Sequence, residues 1–142
     1  RIYCMKVIGF DGRDHALTFK RARGNSKRGN KSSHHLRARE LLSELFSYEK
    51  IYEEVTLPGS KTISTGLLYA DFLIPNKYIV VEVHGKQHYE YSQHFHKTKA
   101  SFMKSRKRDK KKIEWCGLND FTIIILPYNK EEQWKNLIID SI

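Results

Sequence analysis

A mixed α/β fold built around one central sheet is what this sequence predicts, and three observations point to it. Runs rich in β-branched residues, YIVVEVH at 78–84 and FTIIIL at 121–126, read as strands. Between them, from about Ser92 to Trp115, there is no Gly or Pro, so the intervening segment can be one long helix. The chain has 142 residues, the size of one domain with one core, and 39% hydrophobic and 12% aromatic residues can fill that core despite 30% charged content.

Taken in order, residues 1–10 suit a strand, Asp11-Gly12 a turn, and His15–Phe19 a second short strand, together an N-terminal hairpin. Segment 20–33 (KRARGNSKRGNKSS) reads as an exposed basic loop. Ser32 or Ser33 can cap a helix running to about Phe46, with Leu41, Leu42, Leu45 and Phe46 on its apolar face and Glu40 off it. Residues 50–57 suit a strand, Pro58-Gly59 breaks it, and 66–74 begins another that turns at Pro75-Asn76 into the central strand Tyr78–His84. Phe95, Phe102, Met103 and Ile113 would be the inner face of the long helix, with Gly117 as its stop. After strand 121–126, Pro127 leads to a closing helix over 130–142 with Trp134, Leu137, Ile138 and Ile142 inward. A helix between two strands in this order implies that 78–84 and 121–126 run parallel, beside an antiparallel hairpin.

The net charge of +10 is concentrated. Segments 13–39 and 97–112 each sum to +8, and the remainder to −6. Two such blocks suit a polyanion, because every phosphate neutralised by Lys or Arg releases counterions, and nucleic acid is the natural partner. Arg21, Arg23, Lys27, Arg28 and Lys31 in the loop, with Lys86, Lys104, Arg106, Arg108 and Lys112 further on, are the candidate contacts; Asn25 and Asn30 could read base edges. Solvated charged faces are the competing explanation. No apolar run reaches a membrane-spanning length and no long apolar leader opens the chain, so a non-secreted protein of the cytoplasm is expected, with no membrane partner. Cys4 and Cys116 are the only cysteines, which excludes a four-cysteine zinc site within the chain and suits a reducing compartment. Arg1 opens the sequence in place of methionine, as in a processed or truncated piece of a longer chain.

The chemistry sits in Tyr69-Ala70-Asp71-Phe72-Leu73-Ile74 and Val80-Val81-Glu82-Val83-His84-Gly85-Lys86-Gln87-His88. Alternation puts Glu82 and His84 on one face of their strand. A two-residue loop (75–76) or a four-residue loop (75–78) brings Asp71 to that face, the latter directly opposite Glu82, whereas a three-residue loop separates them. Two facing carboxylates in an apolar sheet need a positive charge between them, and a divalent cation supplies it economically. Oxygen ligands favour Mg²⁺ or Mn²⁺. Such an ion can polarise a phosphoryl oxygen and hold a water, with His84 and His88 placed for proton transfer or phosphate contact. A strand-end carboxylate facing water and a salt bridge to the long helix are the ordinary readings of Asp71 and Glu82. Tyr89 and Tyr91 could stack on bases, and His94 with His96 makes a poor zinc pair without a third ligand.

The pattern Asp71 … Glu82-Val83-His84 resembles the PD-(D/E)XK nuclease superfamily, with His84 in the lysine position. His84-Gly85-Lys86-Gln87-His88 is similar to the corresponding segment of very-short-patch-repair and phage or intron homing endonucleases. Residues 33–128 carry the resemblance. It implies a restriction-endonuclease-like αβββαβ core over 33–128, preceded by a hairpin and basic loop (1–32) and followed by a C-terminal helix (129–142), in a single nuclease domain. The implied activity is metal-dependent hydrolysis of phosphodiesters in double-stranded DNA, in a bacterial or phage-infected cell, with room for a homodimer or an appended DNA-binding domain. Asp71 would be the principal Mg²⁺ or Mn²⁺ ligand and Glu82 the second, with Glu40 as the helix carboxylate, Glu44 as its fallback, and His84 and His88 as catalytic imidazoles. Asp109 and Lys112 match a helical acid–base pair in related short proteins. A non-catalytic nucleic-acid-binding module and an RNA-processing nuclease are the rival functions.

Overall fold

In the computed structural model, residues 4–19, 32–92, 96 and 98–142 are described. The turn signal at Asp11-Gly12 acts as expected: β1 (Cys4–Ile8) and β2 (Asp14–Thr18) pair antiparallel as a separate two-stranded sheet. Gly12 carries the positive φ of 76° that the turn requires. Ser32 caps α1 (Ser33–Leu45), its hydroxyl accepting from the His35 N–H at 3.1 Å. Four strands follow in sheet order β3 (Tyr52–Leu57), β4 (Leu68–Ile74), β5 (Ile79–His84) and β6 (Thr122–Pro127). β3–β4 and β4–β5 are antiparallel, and β5–β6 is parallel across the helical crossover.

Alternation along the strands sorts the core onto two faces. Phe72, Ile74, Ile79, Val81, Ile124 and Leu126 pack on one side against Ala38, Leu42, Trp134 and Ile138 of α1 and α3 (Trp134–Ser141). Leu73 and Val80 pack on the other against Trp115 and Cys116 of α2 (Lys99–Leu118) and Val7 and Leu17 of the hairpin. Each large side chain so buried is worth roughly 1.5–3 kcal/mol. The hairpin docks where Gly9 and Gly59 touch backbone to backbone, and Phe10 N–H donates to Gly59 O at 2.8 Å. Gly59, at φ 74°, has neither room nor conformation for a side chain.

The long helix differs from its sequence expectation at both ends and around its axis. It begins at Lys99, because Thr98 rather than Ser92 caps it, the Thr98 hydroxyl accepting from Ser101 N–H at 3.1 Å. Gly117 lies inside it; the cap is Asn119, followed by Asp120 at φ 60°. Met103 and Ile113 are 59% and 46% exposed, and Phe102 packs on the His96 ring; Phe95 lies outside the described residues. The bulk of Trp115, whose Nε1 donates to Pro58 O at 2.9 Å, sets the helix rotation instead. The last helix is shorter than expected, since Tyr128–Gln133 is a 3-10 segment, and Ile142 is exposed. Among the described residues no helix is long and apolar enough to cross a membrane.

Candidate active site

The loop from β4 to β5 decides the site. Pro75–Lys77 forms a 3-10 turn closed by Tyr78 in the left-handed conformation, so the connection has four residues. Phe72 pairs with Val81, Leu73 with Val80 and Ile74 with Ile79, and continuing that register sets Asp71 opposite Glu82. The ladder stops there although both strands continue, and the two carboxylates take over the freed backbone donors. Asp71 N–H donates to Glu82 Oε2 at 2.8 Å, and Val83 N–H donates to Asp71 Oδ2 at 2.9 Å. Glu82 shares the side of Val80, which faces α2, and Lys112 Nζ donates to its Oε1 at 2.6 Å. The positive charge that the facing acids need is therefore supplied by a lysine from the helix.

Burial, then the neighbouring Asp71 carboxylate, push Glu82 up to about 7 against the pull of Lys112. Burial works to lower the Lys112 ammonium, but Glu82, with Asp71 and Asp109, raises it above its ordinary value. Asp71, Glu82 and Lys112 line an open cavity of about 770 Å³ at the carboxyl end of β5, together with His88, Lys86 and Glu54. Ligands favour that end of parallel strands. A groove of about 600 Å³ at the other end, lined by Phe46, Ile79 and Thr122 with Glu49 and Lys77, holds no histidine and no facing carboxylates.

His84 and His88 lie beside the acids. Their rings stack at 4.1 Å and 7°, and Asp109 reaches both, with Oδ2 3.0 Å from His88 Nδ1 and Oδ1 4.0 Å from His84 Nε2. Burial, then His88, lower His84 to about 4, so its imidazole is neutral near pH 7. Burial would raise Asp109, but the His88 hydrogen bond together with the neighbouring His88, His84 and Lys112 charges outweighs it and holds the carboxyl below its ordinary value.

Of the expected site residues, Asp71, Glu82, His84 and His88 converge. Glu40 does not: its side chain is 76% exposed, lies 3.8 Å from Arg37 and is outside the cavity lining. The helix turns His35, Ala38, Leu41 and Leu42 inward, which carries Glu40 to solvent; Glu44 is likewise exposed. The polar residues that α1 does direct to the sheet, His35 and Arg39, hold Glu53 on β3. Lys86 lines the cavity, Lys104 and Arg106 are exposed on α2, and Arg108 is half-buried, donating to Ser105 Oγ. Lys112 faces the acids rather than solvent. Arg21, Arg23, Lys27, Arg28 and Lys31, with Asn25, Asn30 and His94, lie outside the described residues. His96 packs against Tyr91 and Phe102. Glu54, which no motif or periodicity singles out, lines the cavity at φ 52°, a left-handed conformation that a glutamate in a strand holds only under constraint.

A curated relative, uncharacterized protein 307L of Invertebrate iridescent virus 6, is 37% identical over 65 residues, which are 46% of this chain and 33% of that protein. The chain thus spans about a third of the length of the relative it matches. No family model matches the chain, and no solved structure matches it.

Proposed function

We propose that this chain is a metal-dependent DNA endonuclease with a restriction-endonuclease-like core of the PD-(D/E)XK type. The observation that carries the reading is the pairing of Asp71 with Glu82 on adjacent strands, at the open end of the sheet, beside Lys112 and two imidazoles. The donor chemistry suits Mg²⁺ or Mn²⁺: Asp71 Oδ1 accepts none of the hydrogen bonds that engage Oδ2 and both Glu82 oxygens, and it is the oxygen offered for direct ligation. Glu82 would act through water, in keeping with a magnesium ion that retains several waters. When bound, the ion would polarise a phosphoryl oxygen and lower the pKa of an attacking water.

The chain's own residues supply the rest. Lys112 holds Glu82 in place and adds positive charge where a phosphate would enter. His84, neutral near pH 7, can accept a proton, while His88, bonded to Asp109, can deliver one to a leaving oxygen. Lys86 at the cavity and the exposed cations of α2 supply charge for holding a phosphate backbone.

The test is cleavage of supercoiled plasmid in Mg²⁺ or Mn²⁺. Asp71→Asn should abolish nicking while leaving the fold and DNA binding intact; unchanged nicking would refute the reading. Structured RNA cleaved in preference to plasmid would move the assignment to RNA processing.

A further inference from the structure

We propose that His84, His88 and Asp109 form a site for one divalent transition-metal ion, of the zinc, cobalt or nickel kind, separate from the oxygen-only pair Asp71–Glu82. The three donors come from three elements: the end of β5, the 3-10 turn Lys86–His88, and the middle of α2. One ligand atom from each lies within 4.8 Å of the others. A tetrahedral ion with bonds of about 2.0–2.2 Å places its ligand atoms roughly 3.3–3.5 Å apart. Asp109 approaches the two rings through different oxygens, Oδ2 at 3.0 Å from His88 Nδ1 and Oδ1 at 4.0 Å from His84 Nε2, so the carboxylate must turn to offer one oxygen to both.

The chemistry of the set selects the ion. Two imidazoles and one carboxylate suit zinc, cobalt, nickel or iron, whereas magnesium and calcium take oxygen ligands. His88 lines the cavity, so a fourth position is open to water or to a phosphate oxygen. Imidazole lone pairs lie in the ring plane, and the two rings are nearly parallel, so one ring must rotate to converge on an ion. His88 is the one free to do so: its side chain is 22% exposed on a short turn, while His84 is 7% exposed at the strand end. The same imidazoles cannot ligate and carry protons at once, so metal binding and proton transfer are alternative states of these side chains.

The test is titration of chelator-stripped protein with Co²⁺, followed by visible ligand-field absorption and then by displacement with Zn²⁺. With excess Mg²⁺ present to fill the oxygen-only pair, one Co²⁺ per chain is expected, with affinity reduced at least tenfold in His88→Ala and in Asp109→Asn. Zn²⁺ should raise the Tm of the wild type and not that of His88→Ala, a readout that also serves if the variant is less stable. Absence of the absorption band, or Co²⁺ binding that survives both His88→Ala and Asp109→Asn, would overturn the site. Neither measurement depends on cleavage, so failure of the nuclease reading would be seen separately, in the plasmid assay.

Discussion

Glu53 ties α1 to β3, and the proton affinity of that tie makes a measurable difference to stability. Its side chain is 1% exposed, lies 2.9 Å from His35 Nε2, and accepts from Arg39 Nε at 2.8 Å and from the Arg39 terminal nitrogen at 2.9 Å. Burial alone would raise this carboxyl, but His35 and Arg39 outweigh it and bring it from 4.5 to about 2. A displacement of that size corresponds to about 3 kcal/mol. Because the folded-state value is the lower one, the stabilisation is present in full above the unfolded value of 4.5 and is lost as pH falls toward about 2. Glu53→Gln removes the titration, so the difference in unfolding free energy between wild type and variant should be largest near about pH 6 and shrink by about 3 kcal/mol toward about pH 2. Urea unfolding followed by the fluorescence of Trp115 and Trp134, both fully buried, measures it at each pH. A wild-type-minus-variant difference that stays flat between about pH 6 and about pH 3 would refute the reasoning.

Two further predictions concern the site and its approach. Lys112→Met should cost about 3 kcal/mol at about pH 8, where Glu82 must either stay a buried anion without that cation or take up a proton, and less at about pH 5. The sign follows from Glu82 being pushed up to about 7: below that value it holds its own proton and needs no cation, which denaturation at the two pH values checks. On α2, Lys99, Lys104, Arg106, Lys107 and Lys110 are exposed. If roughly four of them meet phosphates, DNA affinity should fall about 150-fold between about 50 and 200 mM salt, and Lys104→Gln with Lys107→Gln should reduce the log–log slope by about 2. Fluorescence anisotropy with a labelled duplex reads both, and a salt-independent affinity would mean that these cations only solvate the helix.

Local geometry made part of this protein legible in its sequence. Period-two alternation put Glu82 and His84 on one face, a backbone rule acting over a few residues, and Pro75-Asn76 marked the turn, but the length of that turn, and with it the placing of Asp71 opposite Glu82, stayed open in the sequence and is fixed only by the four-residue connection. The Ser32 cap and the parallel pairing of β5 with β6 follow for similar reasons. What tertiary structure alone decided is how the helices are rotated. The α2 sequence has apolar residues on more than one face, and period counting chose Phe102, Met103 and Ile113, whereas the larger buried surface of Trp115 with Cys116 fixed the docking and swung Asp109 and Lys112 toward the sheet. On α1 the buried hydrogen bonds of His35 and Arg39 with Glu53 likewise settled the rotation that leaves Glu40 in solvent. A helix turns until its whole inward face is filled and its buried charges are paired, and that balance belongs to its partners as much as to its own residues.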